Sequence, residues 1–152
     1  MPESNVPAET ETLSYLADRF GVAPTDLTGL TFYQRSDEIW GVSVFPPEGI
    51  SWTRPPGLRA FRRMPDGLKP TSALLILLGE RITASRIPLN REELRDLLLG
   101  RSLDASIADG YVALSYRGDV VGCGRVRGGR LQALIPTGRR RELLEILSAD
   151  QG

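Results

Sequence analysis

The sequence contains no histidine, one cysteine and one lysine. Without histidine there is no imidazole base, no Ser-His or Cys-His pair and no histidine-ligated metal, which weakens most enzymatic interpretations. The lone Cys123 cannot form an internal disulfide, which is typical of a reducing compartment, and without a base it is expected to be a small buried side chain. We therefore expect no catalytic residue, no cofactor and no metal.

Long apolar runs are also missing. No run approaches the roughly 20 residues that span a bilayer, and the acidic N-terminus lacks the basic start of a signal peptide. The 152 residues, 41% hydrophobic and 25% charged, are typical of one compact globular domain or of two small subdomains with a common core. The sequence therefore predicts a cytoplasmic protein without a membrane partner.

Basic residues are concentrated in two blocks, although the formal net charge is zero. Residues 49–91 hold eight basic and two acidic side chains, and residues 120–141 hold six arginines and no acid. If the two blocks meet on one surface, they form a basic patch that the overall charge conceals. Arginine suits phosphate recognition, but a GC-rich genome or a hot habitat gives the same preference over lysine.

The stretch 110–136 predicts two consecutive β-hairpins. Residues 111–116 alternate with the period of two that a strand requires. Gly128 and Gly129 suit a two-residue hairpin turn of the primed type, because both tolerate a positive φ.

Two glycines leave bare backbone in the middle strand of these hairpins. Strict alternation places Gly122 and Gly124 on one face with Val120 and Val126. Bare backbone in a strand is typical of a barrel corner or of another chain approaching closely, and it also suits the docking of a ligand.

Residues 54–63 combine prolines, arginines and one aromatic residue. If the segment ends in a strand, alternation gives two faces, with Leu58, Ala60 and Arg62 on one and Arg59, Phe61 and Arg63 on the other. Arginines beside an aromatic residue are typical of nucleic-acid binding. An edge strand whose charges prevent aggregation has the same composition.

Helical spacing predicts four helices. They are a helix over 13–20 capped by Thr10 and ended by Gly21, a short buried helix over 73–78 behind Thr71 or Ser72, a helix between the capping box of Asn90 and Gly100, and a helix over 140–147. For residues 73–78 a buried strand is the alternative. Further strands are predicted over 30–33, 39–45 and 82–87. Lys69 and the amides that begin the second helix indicate an anion-binding position.

Short glycine-based motifs then follow one another in a distinctive order. They are Gly110-Tyr111-Val112, Tyr116-Arg117-Gly118, Val121-Gly122-Cys123-Gly124, Gly129-Arg130-Leu131 and Ile135-Pro136-Thr137-Gly138-Arg139. Upstream of them lie Leu16 to Gly21, Ile39-Trp40, Gly57-Leu58-Arg59 and Lys69-Pro70-Thr71. This order resembles the PUA-like RNA-binding domain at the C-terminus of Sun-type and RsmF-type RNA 5-methylcytosine methyltransferases, over about residues 12–145.

The resemblance implies an α+β fold. A small N-terminal α/β subdomain, residues 1–68, is expected to pack on a PUA-like mixed β-pseudobarrel with short helices, residues 69–150. The β-rich second half also needs closure to hide its strand edges, which favours a small barrel.

The resemblance further implies a cleft beside the barrel that binds structured RNA, either tRNA or rRNA. Matched position by position, it gives Arg59, Lys69 and Arg139 as basic contacts and Gly122 and Gly124 as bare strand. Thr71, of the motif Lys69-Pro70-Thr71, joins the RNA-binding set. The charge pattern adds Arg62, Arg63, Arg125, Arg140 and Arg141 to the RNA-binding set.

The family's catalytic domain has no counterpart in these 152 residues. No glycine-rich turn joins a strand to a helix, and the only cysteine lies in the RNA-binding module. We expect a non-catalytic RNA-binding protein, accessory to RNA modification or ribosome biogenesis, with a separately encoded methyltransferase as a candidate partner. The alternative is a protein-interaction module that docks a methyltransferase or ribosomal protein, and a small carboxylate-dependent enzyme is least favoured.

Overall fold

The computed structural model describes residues 6–42 and 57–150. In these ranges the chain forms two five-stranded sheets and four α-helices. The sheets differ, since the first is antiparallel throughout and the second is mixed. The predicted α+β class is confirmed.

The front half of the chain builds the first sheet. Its strands are β1 (Val6–Pro7), β2 (Thr31–Arg35), β3 (Glu38–Val42), β4 (Leu58–Met64) and β5 (Gly67–Pro70), adjacent in that order. The β2–β3 pair confirms the predicted hairpin. The predicted end of β3 at Phe45 and the prolines at 55 and 56 lie outside the described residues.

Helix α1 (Glu9–Phe20) packs on this sheet through its apolar stripe. It ends at Gly21, whose φ of 62° is the left-handed conformation that glycine favours at a helix end. The predicted cap is wrong, because the helix already begins after Ala8 and Thr10 lies within its first turn. No side chain caps this helix, and the buried Thr12 hydroxyl donates to the carbonyl of Ala8 at 2.7 Å.

The rear half builds the second sheet. Its strands are β6 (Arg86–Leu89), β7 (Leu103–Asp104), β8 (Gly110–Tyr116), β9 (Asp119–Arg127) and β10 (Arg130–Ala133), in the spatial order β6-β8-β9-β10-β7. The two hairpins of β8, β9 and β10 are confirmed, and β6 pairs with β8 in parallel. The strand predicted over 82–87 starts only at Arg86, because residues 79–81 form a 3-10 turn that leads into buried Ile82.

The other helices are α2 (Ser72–Leu78), α3 (Arg91–Leu98) and α4 (Thr137–Ala149). The capping box before α3 is confirmed, with Asn90 and Glu93 exchanging hydrogen bonds of 2.8 and 2.9 Å. Helix α4 starts three residues earlier than predicted, directly after Pro136. No helix of the described residues is long and apolar enough to cross a membrane.

A bulge changes the faces of β9. Val121 is the extra residue between the pairs Leu114–Gly122 and Ser115–Val120. Because an inserted residue reverses the alternation, Val120 lies on the opposite face from Gly122. The prediction that these two residues share a face is therefore wrong.

The apolar core is divided between the two faces of the second sheet. One cluster, the shared core, joins Leu16 and Phe20 of α1 and Leu75 of α2 to Ala113 and Cys123 of the second sheet. The other lies between that sheet and helices α3 and α4. Both halves of the chain contribute to the shared core, so the core does not mark a boundary between them. The predicted division into residues 1–68 and 69–150 stays a prediction.

Candidate nucleic-acid interface

A second bulge, in β4, brings two arginines to one face of the first sheet. Trp40 pairs with Arg59 and Glu38 pairs with Arg62, so that four residues of β4 (59–62) lie opposite three of β3 (38–40). Residues two apart on β3 share a face, and their partners on β4 therefore also share it. Strict alternation had predicted Arg59 and Arg62 on opposite faces, and the extra residue, Ala60, makes that prediction wrong.

Lys69 joins the two arginines from the neighbouring strand. It lies directly opposite Arg62 in the antiparallel β4–β5 pair, where facing side chains point the same way. Like charges placed opposite each other destabilise a sheet slightly. The arrangement therefore gives up a little stability and concentrates positive charge.

The start of α2 joins this basic face to the second sheet. The Thr71 hydroxyl donates to the carbonyl of Arg59 at 2.7 Å and accepts from the amide of Leu74 at 3.1 Å. The next residue, Ser72, donates to the carbonyl of Leu134 at 3.3 Å and accepts from the amide of Cys123 at 2.9 Å. These bonds fix parts of the two basic blocks of the chain beside each other.

We use the name basic groove for a depression of about 170 Å³ between the two sheets. Its lining residues are Arg59, Arg62, Lys69, Pro70, Thr71, Ser72, Leu134 and Pro136. Four of the residues that the sequence predicts for RNA binding thus lie together, and the described part of the first basic block, from residue 57 to residue 69, meets Leu134 and Pro136 of the second here.

Two carboxylates partly balance the charge of the groove. Arg59 pairs with Glu38 at 2.9 Å and Arg62 with Asp37 at 3.3 Å, and both arginine side chains are more than half exposed. Exposed pairs of this kind contribute only about 0–1 kcal/mol, so an incoming anion can displace them. Within the part of the chain that the structure describes, Lys69 has no carboxylate partner.

Helix α4 begins at the rim of the groove with an unusual charge pattern. Pro136 is its N-cap, no side chain caps it, and its first turn contains no acidic residue. Arg139 and Arg140 occupy this turn and Arg141 follows it, although cations are unfavourable at the positive end of a helix dipole. Arg139 pairs with Glu142 at 3.0 Å, and Arg141 is exposed.

Arg140 has a structural role in the loop before α4. Its guanidinium donates to the carbonyls of Ile135 at 2.7 Å and Ala133 at 3.1 Å. Neither Arg139 nor Arg140 lines the basic groove itself.

Arg63 lies on the opposite face of the first sheet. Its guanidinium binds both carboxylate oxygens of Glu11, at 2.8 and 2.9 Å, and also contacts Gln34. The hydrogen bonds from Arg63 hold the pKa of Glu11 below its usual value. The structure therefore does not bring Arg63 together with its neighbour Arg62.

Arg125 is also outside the groove. It lies over the ring of Tyr111, 5.4 Å from the ring centre, and 3.3 Å from Asp66. These three residues line a separate cavity.

Gly122 and Gly124 face the protein interior. A Cβ atom added at Gly122 would lie 2.6 Å from Cγ1 of Ile135, and one added at Gly124 would lie 3.0 Å from Leu114 and from Leu131. Both glycines are buried. Packing against these side chains accounts for the bare backbone, and we do not carry the glycines into the proposed interface.

Several residues of the basic groove were not predicted from the sequence. The sequence indicates Ser72 only as a helix cap, and Leu134 and Pro136 reach the groove through tertiary packing that leaves no local pattern. The partners Asp37, in the β2–β3 turn, and Glu38, the first residue of β3, have the sequence pattern of ordinary solvated charges. Nowhere in residues 6–42 and 57–150 do acidic or cysteine side chains cluster to hold a metal ion.

Comparisons with known proteins give a matching family model and a similar protein sequence. Residues 84–141 match the family model of the methyltransferase RsmF PUA domain. The chain is 29% identical over 143 residues to a ribosomal RNA small subunit methyltransferase F from Psychromonas ingrahamii, an alignment that covers 86% of this chain and 27% of that protein. The resemblance to the PUA domain of this family is confirmed, and the chain spans about a quarter of the length of that curated relative.

Proposed function

We propose that this protein binds structured RNA, tRNA or rRNA, through the basic groove, and that it assists RNA modification or ribosome biogenesis without a catalytic step of its own. The observation that carries the proposal is the convergence of Arg59, Arg62 and Lys69 beside the start of α2. The match to a PUA domain from rRNA methyltransferases supports it. A cytoplasmic location and a separately encoded methyltransferase partner belong to the same proposal.

The chemistry of the groove favours phosphate as the group it binds. Guanidinium groups contact two phosphate oxygens at once, and an ammonium group such as that of Lys69 adds a point charge. Contacts of this kind position an RNA without reading its bases. We therefore expect the groove to supply affinity and register, and base selection to arise elsewhere.

Salt dependence gives the first test. Each phosphate contact on single-stranded or duplex nucleic acid adds about 0.7 to 0.9 to the slope of log affinity against log salt. Three contacts predict a loss of affinity of about 20- to 40-fold between about 50 and about 200 mM KCl. Fluorescence anisotropy with a folded tRNA and with a small-subunit rRNA fragment measures this loss.

A matched pair of variants tests the position of the site. Arg62→Gln and Arg63→Gln remove the same charge from adjacent residues that lie on opposite faces of β4. We expect Arg62→Gln and Lys69→Gln each to weaken RNA binding about tenfold and to reduce the salt slope by about 0.7 to 0.9. Arg63→Gln should leave both nearly unchanged. Equal effects at 62 and 63, or no RNA binding at low salt, would contradict the proposal.

A protein-docking role is the second candidate, and one observation favours it. On α2, next to the groove, Ile76 and Leu77 are exposed by 39% and 50% although both are large and apolar. An exposed apolar pair on a helix suits contact with another protein. That function predicts co-purification with a methyltransferase or ribosomal protein. Leu77→Lys should abolish the co-purification, and Arg62→Gln should not.

A further inference from the structure

A second cavity, of about 320 Å³, is lined by residues other than those of the basic groove. It is formed by α1, the β4–β5 turn and the start of β8. Its lining includes Tyr15, Arg19, Asp66, Asp109, Tyr111 and Arg125. We call it the junction cavity, because both halves of the chain contribute to it.

Hydrogen bonds from Arg19 hold one wall of the junction cavity in place. Arg19 of α1 donates through Nε to the carbonyl of Tyr111 at 2.7 Å and through Nη2 to the carbonyl of Ala108 at 3.1 Å. Gly110 has a φ of 136°, and a Cβ atom there would lie 3.0 Å from the guanidinium carbon of Arg19. A side chain at position 110 would therefore be strained and would press on Arg19.

One side of the junction cavity offers a planar surface. The guanidinium of Arg125 lies 5.4 Å from the ring centre of Tyr111, and the Arg125 side chain is 33% exposed. An arginine plane on an aromatic ring is a surface on which an unpaired nucleobase stacks. Asp66 holds this arginine at 3.3 Å through one carboxylate oxygen.

The junction cavity also presents acceptors and donors beside that surface. Asp66 and Asp109 each use only one oxygen in the hydrogen bonds of the described residues, Asp66 with Arg125 and Asp109 with the amide of Gly128. The hydroxyl groups of Tyr15 and Tyr111 have no hydrogen-bond partner among the described residues, and burial raises the pKa of both, so they stay protonated donors.

The charges of the junction cavity balance. Two arginines stand beside two aspartates, so the cavity, unlike the groove, does not select for an anion. A neutral, flat ligand with both donors and acceptors on its edge suits it best. Guanine is the nucleobase that carries two adjacent N–H donors, N1–H and N2–H, and these match the two oxygens of a carboxylate.

We infer that the junction cavity binds an unpaired guanine base, stacked on Arg125 with its donor edge at Asp66 or Asp109. The inference rests on the proposed function, because it names the part of an RNA that this second site takes. The groove would hold the phosphate backbone, and the cavity would supply the selection among bases that phosphate contacts lack.

The test uses the four nucleoside 5′-monophosphates, which share one phosphate and differ in the base. In a ¹H–¹⁵N NMR titration, the amides of Gly67 and Gly110 report on the cavity, and those of Thr71 and Ser72 report on the groove. We expect GMP to shift the two glycine signals with a dissociation constant on the order of 1 mM, because one stacked base makes few contacts. AMP, CMP and UMP should bind these positions at least about fivefold more weakly.

Two variants with matched controls identify the contacts. Asp66→Asn should weaken GMP binding about tenfold, whereas Asp104→Asn, at another exposed aspartate that pairs with an arginine, should not. Arg125→Lys keeps the charge but removes the plane and should also weaken binding, whereas Arg127→Lys on the same strand should not. Equal binding of all four nucleotides, stronger binding in Asp66→Asn, or no glycine shifts up to about 10 mM would each overturn the inference.

The proposals for the basic groove and for the junction cavity can be contradicted independently. Arg62→Gln and Lys69→Gln should leave the GMP-induced shifts of Gly67 and Gly110 in place. Loss of RNA binding with these shifts retained contradicts the groove alone. RNA binding that persists without any GMP-induced shift contradicts the cavity alone.

Discussion

Replacing Gly122 with alanine tests whether the bare backbone of β9 is packing or a docking surface. The added Cβ atom would lie 2.6 Å from Cγ1 and 2.9 Å from Cδ1 of Ile135, whereas carbon atoms in favourable contact lie about 3.5–4.0 Å apart. Gly122 has no positive φ, so the change introduces steric overlap without backbone strain. Overpacking of this kind costs about 1–3 kcal/mol of unfolding free energy.

A double-mutant cycle assigns that cost to a named partner. Ile135 is 3% exposed, and Ile135→Ala alone should destabilise the protein by about 2–5 kcal/mol through the cavity that it leaves. In the double variant the new methyl group at 122 enters this space. The combined loss should therefore fall short of the sum of the single losses by about 1 kcal/mol or more.

Urea denaturation followed by circular dichroism measures these free energies. Gly138→Ala is the matched control, because no atom lies within 4 Å of its added Cβ and the residue is helical. The control should be neutral or stabilising by up to about 1 kcal/mol. A cost below about 0.5 kcal/mol at Gly122 with additive losses in the double variant would refute the packing explanation and return the bare strand to the candidate ligand surfaces.

Two further predictions concern protons. Glu11→Gln removes the negative charge and one of the two oxygens that accept from Arg63, and it should lower the unfolding free energy by about 0.5–1 kcal/mol near pH 7. Folding lowers the pKa of Glu11, so the loss of unfolding free energy caused by Glu11→Gln should be full above the ordinary pKa of 4.5 and should vanish as the pH falls through the lowered pKa. Equal losses in urea titrations at about pH 7 and about pH 3 would contradict this prediction. Burial raises the pKa of the Cys123 thiol to about 12, so a thiol reagent near pH 8 should label the protein only as fast as it unfolds. Fast labelling of the native protein would contradict that burial.

Features with local signals could be predicted from the sequence. The capping box of Asn90 and Glu93 fixes the start of α3 by contacts three residues apart. Gly128 and Gly129 adopt φ values of 57° and 78°, which a primed hairpin turn requires. In both cases the conformation depends on the residues themselves.

Features that depend on partner strands could not be predicted in this way. The separation of Arg62 from Arg63 follows from strand alternation, but the joint face of Arg59 and Arg62 needs the extra residue Ala60, which no pattern in β4 marks. Charge alone suggested Arg140 as an RNA contact, yet its guanidinium donates to two carbonyls of the loop before α4. Both outcomes are set by register and tertiary packing, which composition does not contain.

The shared core has a consequence for how such a module can be inherited. The segment that matches the family model, residues 84–141, carries Ala113 and Cys123 but not their partners Leu16, Phe20 and Leu75. A recombination event that moved this segment alone would transfer Ala113 and Cys123 without the apolar side chains on which they pack. Genes that keep a working copy are therefore expected to pass on α1, α2 and the second sheet as one block.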